Sequence, residues 1–184
     1  MFNSKRFQKI KNQSDVIFNS RFLKNLSPLE RTEFLQYCHR RDYKEGEHIY
    51  YQGDPGTGMY FIEEGRVELI VEPEQPTDNE TEPLSYVITE PESFGTLSIG
   101  YDLRRTSSAQ CLTDCTLMGF FKPDFETLKK RHPTIAVKFM ETLATVAMKQ
   151  LERVTNELKK VSSAERAFSL KFESFLPEQE EESL

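Results

Sequence analysis

The sequence has no tryptophan, only three cysteines and three histidines, and no glycine-lysine phosphate loop in its 184 residues. Cys38, Cys111 and Cys115 are odd in number and sparse, which excludes the dense disulfide framework of small secreted domains. Cys111 and Cys115 stand four apart around a turn without a second ligand pair, and read as small core residues rather than metal ligands. His39, His48 and His132 are isolated, with neither HxH nor HExxH spacing, so no metal site is expected. No Ser-His-Asp or Cys-His grouping can be assembled, and the expectation is a protein without catalysis and without a resident cofactor. No apolar run approaches the roughly 20 residues that span a bilayer. The basic N-terminus lacks the apolar stretch and cleavage site of a secretory signal, so cytoplasm is the expected compartment.

What is present describes a folded domain with a generous surface: 37% hydrophobic and 29% charged residues. A chain of this size buries roughly 70% of its unfolded surface. The net charge of −6 is unevenly spread. Residues 1–26 carry Lys5, Arg6, Lys9, Lys11, Arg21 and Lys24 against Asp15 alone, whereas residues 63–92 are strongly acidic around a single Arg66, and Glu173 opens an acidic tail. The overall charge disfavours non-specific nucleic-acid binding. The basic segment is read as a solvated face, with contact to an anionic membrane or an acidic partner left open.

The first firm boundary is Ser27-Pro28-Leu29-Glu30, a capping box with proline at the first helical position. Leu29, Phe34, Leu35 and Cys38 predict a short amphipathic helix ending before Tyr43. The period then changes to strands at His48–Tyr51, Met59–Ile62, Val67–Val71, Leu84–Thr89, Ser107–Leu112 and Leu117–Phe121, punctuated by glycine and proline. Short strands at this spacing predict an antiparallel sandwich or barrel. The intervening segment from Glu72 to Pro83 is acidic and proline-rich, and reads as a loop.

After Phe121 the pattern is helical, with a short helix from Pro123 to about Arg131 and a long one opened by Pro133. Along it Ala144, Ala147, Leu151, Val154, Leu158 and Val161 recur at spacings of 3, 4, 3, 4 and 3, an a/d seam. It predicts a homodimer; a helix lying along its own β-domain is the alternative. The chemistry is concentrated in Ser93-Phe94-Gly95-Thr96-Leu97-Ser98-Ile99 and the Arg105-Thr106-Ser107-Ser108-Ala109 that follows it. A glycine turn presents backbone amides and a nearby guanidinium can close on the same anion, a combination suited to phosphate. The other reading of Arg105 is a surface ion pair.

Together these features resemble the cyclic-nucleotide-binding domain family, which includes catabolite activator proteins, regulatory subunits of cyclic-nucleotide-dependent kinases and gated channels. The match begins at Ile49-Tyr50-Tyr51-Gln52-Gly53-Asp54-Pro55-Gly56-Thr57-Gly58-Met59-Tyr60-Phe61-Ile62-Glu63-Glu64-Gly65, where the family usually has Val, Ile or Cys in place of Tyr50. The resemblance covers about residues 22–161. It implies a mainly β fold, an antiparallel jelly-roll-like β-roll with an N-terminal helix and a long C-terminal dimerisation helix. The domain plan it suggests is a basic extension at 1–21, the β-roll with short helices at 22–131, the dimerisation helix at 132–163 and an acidic tail at 164–184.

The resemblance makes Phe94, Gly95, Thr96, Leu97, Ser98, Arg105, Thr106 and Ser107 the ligand-binding residues, with phosphate on the Gly95–Ser98 amides and Arg105. Thr96 stands where the family has a Glu that accepts from the ribose 2′-hydroxyl, and Ser107 where it usually has Ala. Losing one charged hydrogen bond costs about 1.5–3 kcal/mol, or roughly ten- to a hundred-fold in affinity. Thr106 resembles the arrangement that favours guanine, which leans the ligand toward cGMP over cAMP; a β-propensity threonine is the alternative. The winged helix-turn-helix of transcriptional members needs more residues than follow Ser163, so direct DNA binding is not expected. The implied function is a regulatory sensor module for a cyclic nucleotide, or for a related phosphorylated ligand since without the Glu the pocket no longer demands a 2′-hydroxyl, acting through an unidentified protein effector. The alternative is a degenerate roll that binds no ligand and serves as a dimeric interaction scaffold, in which case Arg105 should be paired with an internal acidic residue.

Overall fold

The computed structural model describes residues 15–72 and 84–167. In chain order the elements are α1 (Asp15–Asn19), α2 (Pro28–Leu35), β1 (His39–Tyr43), β2 (His48–Tyr50), β3 (Gly58–Glu64), β4 (Arg66–Val71), β5 (Leu84–Thr89), β6 (Ser93–Phe94), a 3₁₀ turn (Thr96–Ile99), β7 (Ser108–Cys111), β8 (Cys115–Phe121), α3 (Lys122–Arg131) and α4 (Pro133–Val161). The described strands form two four-stranded sheets, ordered β1-β8-β3-β6 and β2-β7-β4-β5, with every pairing antiparallel. This is the expected β-roll with flanking helices.

The capping box forms as the sequence predicts: the Glu30 amide donates to Ser27 Oγ, and Glu30 Oε2 accepts from the Ser27 amide at 2.8 Å. The helix it opens stops at Leu35, earlier than the apolar pattern suggests, and Leu29 is exposed. The following residues instead form β1, an edge strand whose register runs from His39↔Gly119 to Tyr43↔Cys115. Its His-Arg-Arg-Asp sequence is almost wholly exposed, so neither alternation nor β-propensity announces it. At the N-terminal end Val16 and Ile17 of α1 are buried, a core contribution hidden within a basic stretch.

Two apolar layers result. Inside the roll Tyr60, Ile62, Val67, Phe94, Ala109, Cys111, Cys115 and Leu117 make one cluster. Because side chains alternate across a strand, Phe61 and Phe120 leave the opposite face of their sheet. There the fully buried Phe34, Phe61, Phe120 and Phe139 meet, with Phe34 to Phe120 centroids 4.6 Å apart and Phe34 stacked on Phe139 at 5.7 Å. β3 and β8 are therefore buried on both faces and read as nearly continuous apolar runs.

The chain divides into a unit of Met1–Leu143 and a unit of Ala144–Leu184, and α4 runs from the first into the second. In the first unit Lys138 Nζ binds both Glu30 carboxylate oxygens, at 2.7 and 2.8 Å. In the second, Ala144, Leu151, Val154 and Val161 of the predicted seam are exposed, while Ala147 and Leu158 are partly covered. The N-terminal Lys5, Arg6, Lys9 and Lys11, most of the acidic loop and the acidic tail lie outside the described residues. No described helix is long and apolar enough to cross a membrane.

Candidate functional site

The two motifs singled out in the sequence meet in space through main-chain pairing. The Arg105 amide donates to the Asp54 carbonyl and the Gly53 amide to the Arg105 carbonyl, both at 2.8 Å; the Gly56 amide donates to the Leu103 carbonyl, also at 2.8 Å. Pro55 and Arg104 form an isolated antiparallel bridge, and Arg104 Nη1 donates to the Gly53 carbonyl at 2.7 Å. Ser108 Oγ accepts the Gln52 amide at 2.9 Å. The glycine-rich stretch from Gln52 to Gly58 is thus the partner that holds the backbone of the arginine segment in place.

That backbone places the Arg105 side chain inside the protein, with 7% of the residue exposed. Its Nη2 donates to the Gly58 carbonyl at 2.8 Å and its Nη1 to Ser98 Oγ at 3.1 Å. The guanidinium carbon lies 4.1 Å from the centroid of the Tyr50 ring, within range of a cation–π contact. Gly95 closes another side: its φ is +73°, and a β-carbon there would lie 2.5 Å from Arg105 Nη1. Gly58 is equally constrained, since a β-carbon there would meet the Phe120 carbonyl at 2.5 Å. Among the described residues no carboxylate forms an ion pair with Arg105. A buried cation without an opposite charge is costly, and of the five donors a guanidinium carries, two have acceptors among the described residues, Ser98 Oγ and the Gly58 carbonyl.

The sequence-predicted residues divide into three groups. Gly95, Ser98 and Arg105 are in mutual contact and form the heart of the site. Phe94 is a core side chain, 4% exposed and stacked on Tyr60 at 5.3 Å; it anchors the turn from within the roll. Thr96 and Leu97 are half-buried in the 3₁₀ turn, Thr106 is exposed and Ser107 half-buried. The Ser98 amide is already turned onto the Gly95 carbonyl at 3.3 Å, whereas the first amides of a helical turn have no acceptor within it.

Two residues join the site that the motif reading did not assign to it, Gly58 through its carbonyl and Tyr50 through its ring. Tyr50 carried a signal, being the aromatic exception in an otherwise well-matched pattern. Burial pushes its phenol above the ordinary tyrosine range, while the Arg105 charge and a hydrogen bond with Ser107 pull the other way. Tyr60, beneath it, is raised chiefly by burial as well. Among the described residues no cluster of His, Cys, Asp or Glu could hold a metal ion.

The family model for the cyclic nucleotide-binding domain matches residues 40–132, about half of the chain and all of this site. The Cyclic AMP receptor protein of Thermus thermophilus is 30% identical over 141 residues, 76% of this chain and 61% of that protein. The cGMP-dependent protein kinase 2 of Homo sapiens is 27% identical over 118 residues, 64% of this chain but 14% of the kinase. Among solved structures, the Thermus thermophilus catabolite activator protein is similar with a TM-score of 0.66 at 28% identity, covering 77% of this chain and 63% of that one. This chain belongs to the cyclic nucleotide-binding domain family. It spans a small part of the kinase and under two thirds of the bacterial receptor.

Proposed function

We propose that this chain is a regulatory module that takes the phosphate of a cyclic nucleotide at Arg105 and passes the event to a protein partner. The observation that carries the reading is the buried guanidinium of Arg105 with no carboxylate on it among the described residues. The scaffold alternative requires an internal acidic partner for that cation, and the described residues supply none. Ser98 and the Gly95 turn stand beside the guanidinium as further polar groups for a phosphate. The similarity to a cyclic AMP receptor protein and to cGMP-dependent protein kinases supports the ligand class. Thr106 leans the choice to cGMP over cAMP. Thr96, in the position of the resemblance's ribose-binding Glu, predicts a site indifferent to the 2′-hydroxyl.

The module is proposed to act as a homodimer. The seam of α4 supports this, because Leu151, Val154 and Val161 recur at a/d spacing and are 48%, 63% and 84% exposed, an apolar stripe that a second helix would cover.

Isothermal titration with cAMP, cGMP and their 2′-deoxy analogues tests the site. Binding that ignores the 2′-hydroxyl and disappears in Arg105→Ala is the expected outcome. Affinity retained in Arg105→Ala sinks the assignment, and no heat with any of the four at millimolar ligand favours the scaffold.

A further inference from the structure

We propose that Tyr50 is the gate of the Arg105 site: its ring must leave the guanidinium before an anion can reach it, and so it sets the affinity of the site. The inference rests on the reading of Arg105 as the anion binder. Only 7% of the residue is exposed, and the Tyr50 ring stands 4.1 Å from the guanidinium carbon, on a face that an approaching phosphate would need.

Four groups cover it, and two of them are backbone. The Gly58 carbonyl belongs to β3, where Gly58 is in register with Phe121 of β8, and neighbouring backbone stands where its β-carbon would be. Gly95 covers the guanidinium with backbone, at the start of the 3₁₀ turn. Ser98 offers one small oxygen, close enough to Gly56 that a β-carbon added there would stand 2.4 Å from it. Tyr50 is different in kind. It brings a whole ring, it is half-buried, and it sits on the three-residue strand β2. The register of β2 against β7 shifts between His48 and Tyr50, an irregularity of the sort that re-aims a side chain. Its other aromatic neighbours, Phe94 and Tyr60, are farther off, at 6.1 and 6.3 Å between centroids. Of the four, Tyr50 is the one that covers the cation with a ring, and opening the site means swinging that ring away from the core cluster it packs on and from its hydrogen bond with Ser107.

The ring also takes the place of an opposite charge. A desolvated cation over an aromatic face is stabilised, and the approaching anion has to replace that contact. Its loss corresponds to about a three- to thirty-fold penalty in apparent affinity.

Arginine modification by phenylglyoxal, mapped residue by residue on the full chain, reads the gate without any nucleotide, with exposed Arg104 as internal reference. Arg105 should react several-fold more slowly than Arg104 in the unaltered protein and in Tyr50→Phe, which keeps the ring. It should become reactive in Tyr50→Val and Tyr50→Leu while the other arginines keep their rates; two aliphatic variants guard against one that fails to fold. An Arg105 still protected in both folded variants overturns the gate. In titrations the aliphatic variants should bind cGMP about three- to thirty-fold more tightly. If cGMP binds the unaltered protein through Arg105 but the variants bind no tighter, the gate falls and the ligand reading stands. If Arg105 is uncovered yet no cyclic nucleotide binds, the gate stands and the ligand reading falls.

Discussion

A β-carbon on Gly95 would stand 2.5 Å from Nη1 of Arg105. The glycine is therefore fixed twice, by its left-handed backbone and by the cation that its bare α-carbon faces. Gly95→Ala should lose about 1–2 kcal/mol to the backbone alone and should also displace the guanidinium. Urea unfolding at neutral pH and nucleotide titration on the same preparation check both effects; an alanine variant of unchanged stability and affinity would remove Gly95 from the site.

The exposed seam of α4 gives a prediction about assembly. Leu151→Glu with Val154→Glu places two carboxylates on the apolar stripe and should convert a dimer to a monomer in sedimentation equilibrium. An unaltered protein that is already monomeric across the concentration range counts against the seam as an interface.

Phe34 is 0% exposed and contacts the rings of Phe61, Phe120 and Phe139. Phe34→Ala should cost about 3–5 kcal/mol through lost burial and the cavity left behind, lowering the urea midpoint with little change in slope. The contact of Arg105 with Tyr50 lies on the other side of the sheet, so the variant should keep its ligand affinity while folded.

Glu30 supplies the pH dependence. Its carboxyl is held below the ordinary value of 4.5, first by the hydrogen bond from Lys138 and then by the Ser27 amide. A carboxylate depressed in the fold contributes stability above its unfolded pKa and loses it as pH falls through the folded one. Stability should therefore decline below about pH 4.5, and Glu30→Gln should flatten that limb while costing about 1 kcal/mol at neutral pH through the weakened capping box. Melting temperatures across pH 3–7 for both proteins decide it.

Much of the roll was legible because glycine and proline punctuate it. The span Leu84–Thr89 is recovered at both ends, and Pro133 opens the long helix where the pattern places it. The cassette was legible as a motif, and Gly95, Ser98 and Arg105 do converge. β1 was hidden because its side chains face water on an edge, so nothing in His39-Arg40-Arg41-Asp42 alternates. Tyr50 over Arg105 was hidden for another reason. The contact depends on a register shift and on a strand pairing between segments far apart in sequence, and neither leaves a local periodicity.

The bond from Arg105 to the Gly58 carbonyl joins residues 47 apart in the chain. The entropy of closing that loop is offset by the strand pairings of the roll and not by the one bond, so the site is built by the assembled sheets. A molecule that binds there engages the native form and not the open chain, and its concentration raises the melting point by mass action. Any ligand of the site would then also act as a folding ligand, tying the lifetime of the protein to the ligand's concentration.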